Sequence, residues 1–107
     1  MSVKSYRDLI VWRRAIDLAE AVYASTKTWP EDERFGMVMQ VRRAAVSVAV
    51  NIAEGHDRRS DLELRRFLSI ANGSVCELET CFVLADRLGF ESTQPDRVVS
   101  LATEVGR

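Results

Sequence analysis

Four residues near the middle of the chain have types that could act together: Arg43, Ser47, Asn51 and Glu54, spaced four, four and three apart. On a helix that spacing puts them on one face, one above the next. Glu77 lies farther along and can reach the same region. Such a set could form a polar binding site. It could equally form a hydrogen-bond network that fixes the register of two helices and caps a helix end, and the second reading needs fewer ingredients. No base, nucleophile or ligand set surrounds it. His56, the only histidine, stands beside Asp57 in a polar stretch and reads as a solvated loop residue. Ser69 and Ser74 lack a nucleophile-elbow context. Cys76 and Cys81, five residues apart, are turned about 140° from each other on a helix, too far round to share a metal or a disulfide. They read as small buried or half-buried free thiols. No catalytic, cofactor-binding or metal-binding residue is assigned, no small-molecule substrate is inferred, and an enzyme is the weakest reading.

Arginine supplies the second chemical signal. It arrives in adjacent pairs: Arg13-Arg14, Arg42-Arg43, Arg58-Arg59 and Arg65-Arg66. Asp61 precedes Arg65 by four positions and Glu63 precedes Arg66 by three, so pairing along a solvated helix face accounts for those two. Arg58 and Arg59 have no such partners. Phosphate contacts need reachable cations of this kind, which makes Arg58, Arg59, Arg65 and Arg66 the candidate RNA contacts. The chain as a whole gives little help, because its net charge is −1 and its isoelectric point about 5.8. Any nucleic-acid binding must rest on a local patch rather than on a global field.

These residues need helices to position them, and the chain of 107 residues is long enough for one domain with its own core. A first helix is expected over 8–28, with Leu9, Trp12, Ile16, Ala19, Tyr23 and Thr26 on its apolar stripe. Trp29-Pro30 interrupts it, and Glu31, Asp32 and Glu33 open a second helix over 31–54. Its stripe is Val38, Val41, Ala45, Val48 and Ile52, with Gly55 as a left-handed stop. Ser60 and Glu63 read as a capping box for a third helix over 61–88, closed by Gly89. Its stripe is Leu64, Phe67, Ala71, Ser74, Leu78, Cys81, Ala85 and Leu88, widened by Leu68, Val75 and Phe82. Pro95 opens a short fourth helix over 95–105. No alternating run suggests a strand. The expected fold is therefore all-α, a single-domain up-down-up-down four-helix bundle.

In such a bundle the second and third helices are antiparallel, which brings Arg43 level with Gly73 and Glu77 within its reach. Gly73 reads as permission for close backbone approach opposite Ala44 and Ser47. Arg43 and Glu77 either pair partly away from water or stay solvated, in which case Arg43 joins the possible RNA contacts. Val11, Val22, Val46 and Val50 lie off the main stripes. A bundle of this size has no second core for them, so they are expected to cover a protomer interface. The start Met1-Ser2-Val3-Lys4 leads into polar residues, and no uninterrupted apolar run approaches the ~20 residues that span a bilayer. The expected location is the cytoplasm, away from membranes.

Several clusters match a family pattern. Tyr6-Arg7-Asp8-Leu9 with Val11-Trp12, Trp29-Pro30 with Glu33 and Gly36, and Gln40 with Arg42-Arg43-Ala44-Ala45-Val46-Ser47 occur in order. Asn51-Ile52-Ala53-Glu54-Gly55, Phe67-Leu68, Ile70-Ala71, Gly73-Ser74 and Glu77-Leu78 follow. Together they resemble the small bacterial four-helix bundle proteins encoded by intervening sequences inside 23S ribosomal RNA genes. No single cluster is long, but their order and spacing carry the likeness through Phe90. The resemblance implies assembly into a ring of five protomers and no established enzyme activity. Similar accessory proteins of diversity-generating retroelements bind nucleic acid and a reverse transcriptase, but they are strongly basic and this chain is not. The fourth helix is expected to be shorter than the family pattern. The expected function is a non-enzymatic homo-oligomer, pentameric by resemblance, whose arginines touch RNA or a ribonucleoprotein. The alternative is a structural adaptor that binds a protein partner without nucleic acid.

Overall fold

Four α-helices form the protein in a computed structural model that describes residues 5–106. They are α1 (Ile10–Ser25), α2 (Met37–His56), α3 (Asp61–Arg87) and α4 (Pro95–Val105). Among the described residues there is no strand. The helices pack α3 on α2, α2 on α1 and α1 on α4, and a thinner α3–α4 contact closes the square. With short connections at alternate ends, this is the up-down-up-down bundle. The opening residues Met1 to Lys4 lie outside the described residues.

Local signals account for most helix ends. Ser60 accepts from the backbone N–H of Glu63 at 3.1 Å and starts α3. At its far end Gly89 takes a positive φ of 83°. There the Phe90 N–H donates to the Ala85 carbonyl at 2.9 Å and the Gly89 N–H to that of Asp86 at 3.0 Å, a Schellman stop. Ser5 and Asp8 form a reciprocal capping box on a short 3-10 turn before α1, a signal present in the sequence but not expected above.

The second helix starts six residues later than expected, at Met37 rather than 31. Glu31–Glu33 instead makes a single 3-10 turn, and the backbone breaks at Gly36. The Glu33 carboxylate then accepts from the Met37 N–H at 3.1 Å, so its charge caps α2. At the other end α2 runs through Gly55 to His56. Gly55 is not a left-handed stop, and His56 is a half-buried residue of the last helical turn rather than a loop residue. Gly55 is needed for space: an added Cβ would lie 3.0 Å from Phe67 Cβ and 3.3 Å from a Leu64 methyl. Gly73 has the opposite character. It is exposed, and a Cβ there meets nothing within 4 Å, so the expected close approach does not occur at that position.

The core is built from Leu18, Val22, Val41, Val48 and Leu78, fully or almost fully buried, with small alanines between them. The α2 stripe lies where the sequence pattern puts it. On α1 the buried line is Ala15, Leu18, Val22 and Ser25, while Trp12, Ile16 and Ala19 are half-buried and Tyr23 is exposed. The shift arises because α1 packs on both α2 and α4, so the line between those neighbours is covered most deeply. On α3 nothing before Ala71 is buried, and Leu68 and Leu88 are exposed.

The α1–α2 linker and the α3–α4 loop are fastened together. Trp29 is buried, with its ring centroid 5.1 Å from that of Phe82 and 5.6 Å from that of Phe90. Its indole N–H donates to Ser92 Oγ at 2.8 Å. Thr28 Oγ1 donates to the Glu91 carbonyl at 2.6 Å, Ser25 Oγ donates to the Thr93 carbonyl, and the Thr93 N–H returns a bond to the Ser25 carbonyl at 3.3 Å. Arg42 secures the end of α1. It donates to Thr26 Oγ1 at 3.0 Å and to the Tyr23 carbonyl at 3.3 Å, with its guanidinium 4.6 Å from the Tyr23 ring centre.

By length and composition α3 is apolar enough to cross a membrane, with a mean hydropathy of 1.3 over an 18-residue stretch. Charged and small residues interrupt the stretch, so no uninterrupted apolar run marks it in the sequence. Only 28% of that stretch is buried, so many of its apolar side chains face outward.

Candidate interaction surface

The polar residues expected to act together divide into two small groups. Asn51 Nδ2 donates to the Ser47 carbonyl at 2.8 Å and to Ser47 Oγ at 3.0 Å, and Ser74 Oγ crosses from α3 to donate to Ser47 Oγ at 2.9 Å. This chain of bonds joins α2 to α3 at one register. Ser74 belongs to it, although the sequence pattern marks it as a stripe residue and not as a member of this network. Its heptad position concealed a polar partner across the seam.

The second group is Gln40 and Glu77, joined at 3.1 Å between Gln40 Nε2 and Glu77 Oε2. Arg43 and Glu77 do not form the partly buried pair considered above. Both are exposed, and Glu77 takes its bond from Gln40. Arg43 points outward beside them, on an open groove of about 630 Å3 between α2 and α3. Glu54 stands exposed near the end of α2, lining a groove with Asp57, outside both groups.

Arg58, Arg59, Arg65 and Arg66 are all exposed where α2 meets α3. Among the described residues none of them forms an ion pair, and the helix-face bridges expected from Asp61 and Glu63 are not made. Arg58 instead lays its guanidinium 4.7 Å from the centre of the Phe67 ring, which fixes its direction. Asp57, Asp61 and Glu63 are interspersed with these arginines in the same turns. The cluster is accessible, and its net charge is modest.

The four interface valines separate. Val22 is fully buried in the core and cannot cover a partner, a correction that follows from the shifted line on α1. Val11 is 38% exposed and lines a groove at the open end with Ile52, Leu68 and Val105. Val46 and Val50, 42% and 45% exposed, share an outward surface with Trp12, Ile16 and Ala19 along a groove of about 410 Å3.

The thiols are free. Cys76 is exposed and Cys81 half-buried, with burial first and the nearby Glu77 charge second pushing the Cys81 pKa up. That leaves Cys81 a poor nucleophile. Among the described residues, no three His, Cys, Asp or Glu side chains gather as metal ligands would.

The pattern that defines the 23S rRNA-intervening sequence protein family matches residues 7–107. The chain belongs to that family. Among curated proteins none matches it. The family match extends through α4, beyond the Phe90 limit of the sequence resemblance. The family's description names an RNA context and no reaction.

Proposed function

We propose that the protein is a non-enzymatic, cytoplasmic homo-oligomeric module whose bundles stand side by side in a closed ring, with five copies as the family resemblance implies. The observation that carries this reading is the outward apolar surface. Phe35, Met39, Val46, Val50, Val83 and Val99 are between 40% and 79% exposed on a protein of only 107 residues. A monomer in water has little use for so many exposed apolar side chains, and burial between copies accounts for them. Light scattering after gel filtration at micromolar concentration is expected to report one closed oligomer. A monodisperse monomer overturns the proposal.

RNA contact is a second reading, favoured by the four arginines without ion pairs at one end of the bundle. Ring symmetry would repeat that patch and strengthen its local field. Binding to structured RNA is then expected to weaken steeply with salt. Arg58→Glu with Arg59→Glu should lower affinity for all sequences alike and leave assembly intact. No binding at low ionic strength overturns RNA contact and leaves the protein-adaptor role in its place.

A further inference from the structure

The outward face of α3 is open and carries charge of both signs that nothing in the bundle neutralises. Leu62, Ser69, Cys76 and Val83 recur every seventh residue along it, and all four are exposed. A spacing of seven keeps them on one line of a helix. Leu62 and Val83, near its two ends, are 78% and 59% exposed. On the line between them stand only the small side chains of Ser69 and Cys76. A Cβ added at neighbouring Gly73 meets nothing within 4 Å, so no part of the bundle covers the middle of this face.

Charge is divided along the helix. Arg65 and Arg66 stand in the first half of α3, Glu77 and Glu79 in the second, and all four are exposed. Among the described residues none of them forms an ion pair. Glu77 accepts from Gln40, a neutral amide that leaves the carboxylate charge in place. Arg65 lies seven residues before Asn72 and Glu79 seven after it. A second α3 laid antiparallel about Asn72 and Gly73 therefore brings Arg65 and Arg66 of each copy against Glu79 and Glu77 of the other. The same register sets Leu62 opposite Val83 and Ser69 opposite Cys76. Asp61 and Glu63 fall opposite positions 82–84, which carry no charge, and Asp86 and Arg87 reach the α2–α3 turn, where Asp57, Arg58 and Arg59 supply both signs. A parallel pairing would instead set arginine on arginine and glutamate on glutamate, at a cost.

We propose that α3 of one copy pairs with α3 of a second copy, antiparallel and about a two-fold axis beside Asn72 and Gly73. The charges, the apolar ends and the small centre agree on one register. An isologous contact of this kind uses the same patch on both copies and is complete with two. It is distinct from the heterologous contacts that close a ring and does not depend on them, since it joins two copies whether or not each belongs to a ring. Arg65 and Arg66 lie within it, so pairing and RNA compete for them.

The test is charge reversal at exposed positions. Arg65→Glu leaves only carboxylates at the two facing positions and Glu79→Arg only guanidinium groups, so each variant repels itself. Each alone is expected to raise the dissociation constant of the pairing about tenfold or more in sedimentation at moderate salt, with the helical circular dichroism unchanged. An equimolar mixture of the two should pair like wild type, because opposite charges then meet at both positions. Under mild oxidation Ser69→Cys should give a covalent dimer that wild type does not, since the new thiol faces Cys76 of the second copy while the two Cys76 thiols stand about two turns apart. Cys76 lies in the contact, so its labelling should slow as the protein is concentrated, while dilute, unpaired protein keeps it the faster thiol. Single reversals that sediment like wild type, or a mixture no tighter than either variant, overturn the pairing and leave the ring standing. No covalent dimer from Ser69→Cys overturns the register. A wild type that stops at a dimer, lost on reversal, supports the pairing and overturns the ring. A wild-type monomer at micromolar concentration overturns both.

Discussion

The two ends of this bundle are held by different means. At the end where α1 meets α2 and α3 meets α4, three aromatic rings and four hydrogen bonds fasten one connection to the other. At the opposite end the α2–α3 turn carries exposed arginines, α3 buries nothing before Ala71, and α4 stops beside Val75. The first end is specified by side chains of one connection that reach named partners on the other. The second is specified by close packing at Gly55 and otherwise presents surface. Stability concentrates at one end and accessible chemistry at the other, a common division between the parts of a fold that hold and the parts that contact.

The largest effect expected from this contrast comes from Trp29→Ala, which removes the ring shared by both connections. It should cost about 3–5 kcal/mol in urea unfolding, as for other large buried aromatics. A loss comparable to that of an exposed substitution would mean the fastened end is not the stable one. An intermediate effect separates the two helix glycines. Gly55→Ala forces a methyl against Phe67 and should destabilise by about 1–3 kcal/mol. Gly73→Ala, in open space on a helix, should stabilise the monomer fold by up to ~1 kcal/mol. Reversed signs would exchange the packing roles assigned to them. The smallest effect concerns the thiols. Cys76 should react with a thiol reagent well before Cys81 near neutral pH, and the gap should narrow as pH rises. Because folding raises the Cys81 pKa, its protonated form is favoured in the native state. That contribution is present below the ordinary thiol pKa of about 8.5 and is lost as pH climbs through the raised value. Equal labelling rates would show that Cys81 is not shielded.

The helices and their order were legible because apolar periodicity and punctuation agreed. Ser60 and Gly89 bound α3 as their types suggest, and the α2 stripe is the buried one. The errors have physical causes. Periodicity finds a stripe but does not say how many neighbours a helix has, so it puts the α1 line one step aside and Val22, which is buried, at the surface. Gly55 and Gly73 are indistinguishable by residue type, and only the partner helix decides which of them is crowded. Glu31, Asp32 and Glu33 signalled a helix start, yet the break at Gly36 moved that start to Met37. The Trp29–Ser92 bond joins positions 63 apart, a distance at which single-sequence patterns carry no information. Of the candidate site, the exposed arginines were accessible to sequence reading, whereas the apolar groove between α3 and α4 exists only once α4 has taken its place.

The fastening of the two connections has a consequence for α4. At 11 residues it is shorter than a helix that would persist alone in water. Its first residue follows directly on the loop tied to Ser25 and Thr28, so α4 resembles a ribbon pinned at one edge. Backbone amide exchange would then begin at Val105 and peel toward Pro95, with the α2–α3 hairpin still intact beneath. The tie determines which edge of the ribbon lifts first, and the apolar lining of the bundle is uncovered gradually from that edge.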